Sequence, residues 1–151
     1  QFLRTDKNAR YQGTAFYFKE GFCWTDVSYD IKCRKKGISV NDVLSMALYS
    51  QFSQTSDKYL VCIINARLMS DIVCNFINNT SHFQINDARQ IPIIIPTNSQ
   101  LKIFEALFDK AYAIQQDKFA NHLSQTEAKA KLELVQKELD GLVYKLYGLE
   151  K

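Results

Sequence analysis

Residues 124–149 read SQTEAKAKLELVQKELDGLVYKLYGL, and this stretch decides the fold class. Its apolar residues Leu132, Val135, Leu139, Leu142, Leu146 and Leu149 recur in alternating steps of three and four, the spacing that lines one seam of a helix over about three heptads. Ser124 and Glu127 stand at capping-box distance, so the hydroxyl can take an orphan N–H while the carboxylate reaches back. Upstream, Leu101, Phe104, Phe108 and Ala111 repeat the pattern, with Thr97 or Asn98 available as a cap just after Pro96. Phe119 to Leu123 must then hold a turn, and a short connection makes neighbouring helices antiparallel. Residues 98–148 are predicted to form a helical hairpin stapled by Phe104, Phe108, Leu139 and Leu142.

Ahead of Pro96 the texture changes. Arg89-Gln90-Ile91-Pro92-Ile93-Ile94-Ile95-Pro96 reads as an extended apolar segment, an edge strand or a strap, because Pro92 has no N–H for a central ladder. Asp57 to Asn78 is predicted as two short helices, with Asn65 and Ser70 as interruptions. Within residues 13–38, the aromatic runs Ala15-Phe16-Tyr17-Phe18 and Phe22-Cys23-Trp24 flank Lys19-Glu20-Gly21 and suggest strand, turn, strand, with Trp24 in the core. Residues 39–50 fit either helix or strand. The expected class is α+β: a compact mixed α/β body over 1–96 followed by a C-terminal antiparallel two-helix hairpin over 97–151.

Composition agrees with one ordinary core. At 151 residues, with 46% hydrophobic and 23% charged residues, the chain is neither disordered nor collagen-like. No apolar run reaches the roughly 18 residues of a membrane span, and the N-terminus lacks the apolar segment of a signal peptide. The chain opens on Gln1 rather than Met, which suggests an excised domain or a processed fragment. Cys23, Cys33, Cys62 and Cys74 show no Cys-x-x-Cys spacing and sit among apolar residues, so four free thiols in a reducing cytoplasm are expected, without disulfide or metal.

Charge is unevenly placed. Residues 1–40 carry eight Lys or Arg against four acids, whereas residues 97–151 carry eight of each. A polyanion would therefore meet the N-terminal quarter. There Arg4, Lys7, Arg10, Lys19, Lys32, Arg34, Lys35 and Lys36 supply phosphate-binding charge, and Asn8, Tyr11 and Gln12 interleave amides and an aromatic ring that can address base edges. Catalytic chemistry is not signalled: there is no Gly-rich phosphate loop, no His-Glu-x-x-His and no Gly-x-Ser-x-Gly. His82 and His122 lie apart without ligand-spaced partners, and Asp26, Asp30 and Lys32 form no nuclease set.

Four stretches carry a family resemblance. Lys7 to Gly13 followed by Tyr17 to Thr25 forms an aromatic opening that leads to a Trp-containing strand. Tyr59 to Leu68 is similar to a helix reading Leu-x-x-Leu-Leu-Asn-Ser, with Ala66 in place of the Ser. Phe83 to Ile93 enters the proline strap, and a helical spacer follows. In this order they resemble the C-terminal target recognition domain of type IIG fused restriction-modification enzymes and their adenine-methyltransferase relatives, and one half of a type I restriction specificity subunit. The resemblance implies a bacterial module that reads duplex DNA for an N6-adenine methyltransferase and endonuclease elsewhere on the parent polypeptide. It implies no catalytic residue, metal or cofactor in this chain, with S-adenosylmethionine and magnesium held by the parent. The Asn-Pro-Pro-Tyr motif of such methyltransferases is absent here, since Asn75-Phe76-Ile77-Asn78 does not match it. The competing expectation is a helical-hairpin adaptor that docks another protein subunit through its seam and reads no DNA.

Overall fold

The computed structural model describes residues 5–6, 13–27, 31–40 and 45–149. Over these residues it has the expected α+β class: a three-stranded antiparallel sheet and five α-helices. The strands are β1 (Lys19–Thr25), β2 (Cys33–Ser39) and β3 (Ser45–Leu48), in the order β2-β1-β3. The helices are α1 (Asp57–Asn65), α2 (Arg67–Ile72), a one-turn α3 (Ile85–Ala88), α4 (Asn98–Phe119) and α5 (Gln125–Leu146).

The sheet forms where the aromatic residues lie, with its boundaries shifted from expectation. Lys19-Glu20-Gly21 is the start of β1 rather than a turn, and Thr14–Phe16 makes a 3-10 turn ahead of it. The reason is packing: Gly21 lets the ring of Tyr49 lie directly on β1, since a Cβ there would come within 2.7 Å of it. Tyr49 in turn stacks on Phe16 with centroids 5.0 Å apart and donates its hydroxyl to the Phe16 carbonyl at 3.2 Å. Of residues 39–50, Ser39 ends β2 and Ser45–Leu48 form a strand, in which Met46 and Leu48 pair with Trp24 and Phe22. Trp24 is 1% exposed, and its indole N–H donates to the Phe83 carbonyl at 2.9 Å.

α1 starts at Ser56, whose hydroxyl accepts from Tyr59 N, and ends at Asn65. Ala66 leaves the helical region at ψ 144°, so α1 and the α2 segment bend by 63°. Ser70 interrupts nothing; it lies inside α2, which continues into a π turn over Val73–Ile77. No single helix among the described residues is long and apolar enough to cross a membrane. Arg89 and Gln90 turn at the end of α3 rather than extending, and from Pro92 the segment runs as a strap outside any ladder. Two tyrosines hold it: Tyr59 donates its hydroxyl to the Ile94 carbonyl at 2.7 Å, and Tyr147 donates to the Pro92 carbonyl.

The hairpin follows its local signals closely. Thr97 and Ser124 both close capping boxes, with Gln100 and Glu127 reaching back to the cap N–H groups. Hydrogen bonding to Ser124 holds the Glu127 carboxyl below the usual carboxylate range. The turn after α4 is made by Asn121 in the left-handed region at φ 60°, which asparagine tolerates better than most side chains.

The strict heptad seam is corrected by the packing. Val135 and Leu139 are buried and Leu132, Leu142 and Leu146 half-buried, but Leu107, Ala128 and Val143 are also buried and Leu149 is exposed. A two-helix seam needs only a narrow stripe, whereas these helices also cover the body and so present a wider one. Phe104, Leu107, Val135, Leu139 and Val143 belong to the same core cluster as Trp24, Tyr59 and Ile63. Pro96 therefore marks a change of secondary structure across which the core is continuous. Leu101, Phe108 and Ala111 pack against that cluster from its margin. Replacing Leu139 with Ala should cost about 2–5 kcal/mol in chemical denaturation. A loss under about 0.5 kcal/mol would place the side chain on the surface.

All four cysteines are free, three buried and Cys74 exposed. Burial pushes the thiols of Cys33 and Cys62 up from 9.0 to about 12. Their contribution to stability is complete below pH 9 and is lost as pH rises toward 12, because the unfolded thiols ionise first. The urea midpoint should therefore fall across that window, and Cys62→Ala should make the fall shallower. At neutral pH, iodoacetamide should label Cys74 in the native chain and reach the other three only after unfolding; early labelling of Cys33 or Cys62 would contradict their burial.

Candidate nucleic-acid interface

The basic segment maps onto the β1–β2 hairpin. Arg4, Lys7, Asn8, Arg10, Tyr11 and Gln12 lie outside the described residues. Of the others, Lys19, Lys32, Arg34 and Lys35 are exposed on or beside the two strands, and Lys36 is not.

Strand pairing explains the division. Arg34 pairs with Cys23, and its guanidinium donates to the Thr25 hydroxyl at 3.2 Å across the hairpin. Lys35 pairs with Phe22, and its ammonium rides 5.3 Å from the ring centroid of Tyr112 on α4. Lys19 holds its ammonium 5.7 Å from the Phe16 ring centroid. Among the described residues, Arg34 and Lys35 form no ion pair; their contacts are with a hydroxyl and an aromatic face, so their charge is not neutralised.

Lys36 corrects the expectation of a phosphate ligand. It is 4% exposed, and its ammonium donates to the carbonyls of Lys19 at 2.7 Å, Ser39 at 2.8 Å and Gly37 at 3.3 Å. The ring of Tyr49 lies beneath the charge at 6.0 Å. All three ammonium donors have partners inside the fold, and the side chain ties the two strands together where their register shifts between Lys19 and Gly21.

The free side of β2 opens onto a groove of about 1160 Å³ whose far wall is the helical hairpin. Lys32, Arg34 and Lys35 line one side, and Tyr112, Gln115 and Gln136 belong to the other. Its floor includes Val61, Leu107 and Phe108. Nothing in the residue pattern marks Tyr112 or Gln136 as site residues, since both sit on helices whose signal is apolar spacing alone. Asn65, a polar residue inside an apolar helix, stands out as an anomaly, and its role is structural: it donates from Nδ2 to the Cys33 carbonyl at 2.9 Å and accepts from Cys33 N at 2.7 Å.

The remaining polar candidates make no reactive cluster. His82 Nδ1 lies 3.3 Å from Asp26 Oδ2 and His122 Nδ1 lies 3.6 Å from Asp117 Oδ1, each an isolated pair of groups. Asp30 lies outside the described residues. Among the described residues no group of three or more His, Cys, Asp or Glu side chains could hold a metal ion. No protein-family model matches the chain, and no curated protein matches it either.

Proposed function

We propose that this chain is the sequence-specific duplex DNA recognition module of a restriction-modification enzyme, directing an N6-adenine methyltransferase and nuclease carried elsewhere on the parent polypeptide. One observation supports it above the resemblance: the cations Arg34 and Lys35 are exposed on β2 and form no ion pair among the described residues. Such cations position a protein on phosphates, while neutral amides and arginines read base edges. Lys19 and Lys32 extend the same basic surface. The chain supplies no chemistry of its own in this reading; S-adenosylmethionine and magnesium belong to the parent.

A docking role for the hairpin is favoured by a separate observation, the exposure of Ile103 and Leu134 on its surface away from the groove, with Leu134 at 70%. The two roles are separable by salt. In the intact parent enzyme, Arg34→Ala with Lys35→Ala should weaken binding to all duplexes and flatten the slope of log affinity against log salt by roughly 0.9 for each phosphate no longer neutralised. Arg10→Ala or Gln12→Ala should instead reduce discrimination between sites by about 1–3 kcal/mol, with little change of slope for the neutral Gln12. Lys36→Met should leave the slope alone and lower stability by about 1–3 kcal/mol, because it removes the charged hydrogen bonds that tie β1 to β2. Unchanged binding and unchanged site choice after the Arg34, Lys35, Arg10 and Gln12 substitutions would transfer the function to the hairpin.

A further inference from the structure

Four positions among the described residues take a positive φ: Gly13 and Gly148 at 67°, Asn121 at 60° and Phe18 at 57°. Glycine and asparagine tolerate this backbone, whereas a phenylalanine there is strained because its Cβ crowds the following carbonyl. Phe18 is pinned from both sides. Its N–H donates to the Ser39 carbonyl at 3.3 Å, and the buried ammonium of Lys36 holds that same carbonyl at 2.8 Å and the carbonyl of Lys19, the next residue, at 2.7 Å. Such over-determination is what lets a strained residue persist. No burial is gained in return: the ring is 68% exposed and meets Tyr17 edge-on with centroids 6.4 Å apart. Ile38 and Val40, on either side of Ser39, are exposed as well. Packing of the fold does not account for an aromatic ring fixed outward at a strained residue, so its use lies in what the chain meets.

Resting on the DNA reading above, we infer that Phe18 is an apolar wedge that enters between two stacked base pairs of the bound duplex, with Ile38 and Val40 as its apolar flanks. Charge complementarity selects this occupant. Lys19 directly follows the ring and is exposed, with its ammonium over Phe16, and Arg34 and Lys35 stand farther along the same strand pair. Glu20, the next residue, belongs to the lining of the groove. Opening a base step requires that the phosphates around it be held, and these cations supply that hold. A ring whose backbone is already fixed also loses less freedom on insertion than one on a loose loop. The wedge reads sequence through the ease of opening a step, so it favours pyrimidine–purine steps, the most deformable ones.

The test uses the whole chain at low salt and duplexes of about 20 base pairs, each with 2-aminopurine at a TA step and a dye at one end. Dye anisotropy reads occupancy, and 2-aminopurine emission reads unstacking. At saturation the emission should rise at least about twofold, and it should rise less when the analogue sits inside an A-tract. Phe18→Asn, which takes the same backbone with little strain, should bind with the same salt slope, show no rise, and unfold at the same or a higher urea concentration. Phe18→Leu should keep most of the rise, since aliphatic side chains also serve as wedges. A rise that survives Phe18→Asn, or a lower urea midpoint for that variant, would overturn the proposal. So would a dimer of the unaltered chain that Phe18→Asn dissociates in sedimentation, which gives the ring to a second copy. Saturation without any rise sinks the wedge and leaves DNA reading standing, whereas no duplex binding at all sinks both.

Discussion

The carboxamide of Asn65 is the joint on which the rest of the structure depends. Its two hydrogen bonds to Cys33 fasten the edge of the sheet to the end of α1, at the point where Ala66 turns the chain by 63° into α2. The same corner receives the helical hairpin: Gln136 donates to the Asn65 carbonyl at 3.1 Å, and the Arg67 N–H donates to Asp140 at 2.9 Å. Sheet, bent helix pair and hairpin therefore meet at one polar junction above a continuous apolar core. Hydrogen bonds of this kind contribute modestly in net terms, but an unmet donor or acceptor beside a core costs more than a met one gains. That asymmetry fixes the register in which the three pieces come together.

The basic strand shows how one stretch of similar residues is given opposite tasks. Lys35 and Lys36 are neighbours with the same side chain, yet one faces solvent and Tyr112 while the other is buried under Tyr49 with three carbonyl oxygens around its ammonium. Burial of a charge is tolerable there because every donor finds a partner. Its consequence is a stiff end to the β1–β2 hairpin, which carries the remaining cations. Arg34 and Lys35, next to this tie in β2, are thus presented from paired strands, the condition under which charge can position a partner rather than merely attract it.

Docking of the hairpin on the body changes what its apolar residues do. Phe104 meets Tyr59 edge-on with centroids 5.2 Å apart, and Tyr59 in turn holds the strap through Ile94. Tyr147, just past the end of α5, holds the same strap at Pro92. Strap, first core helix and hairpin are laced by two hydroxyls, and burial raises the pKa of both phenols. The groove beside β2 follows from this arrangement, because the hairpin leans on α1 and leaves the edge of the sheet uncovered.

Local chemistry was legible in the sequence wherever a residue's task is set by residues a few positions away. The capping boxes at Thr97 and Ser124, the two long helices, the turn between them, the break after Asn65 and the burial of Trp24 all follow from spacing and side-chain type. So does the concentration of cations in residues 1–40, although six of the candidate contacts there, Arg4 to Gln12, lie outside the described residues. Only the tertiary structure decided that Lys36 is internal, that Gly21 admits Tyr49, that Val143 and Leu107 join the core, and that Lys35 lines a groove opposite Tyr112. Each of these depends on partners far away in the chain, and periodicity records which face of an element is apolar without recording what will cover it. A lysine beside another lysine carries no mark of its fate until the strand register and the approach of a distant ring determine whether its charge meets carbonyl oxygens or water.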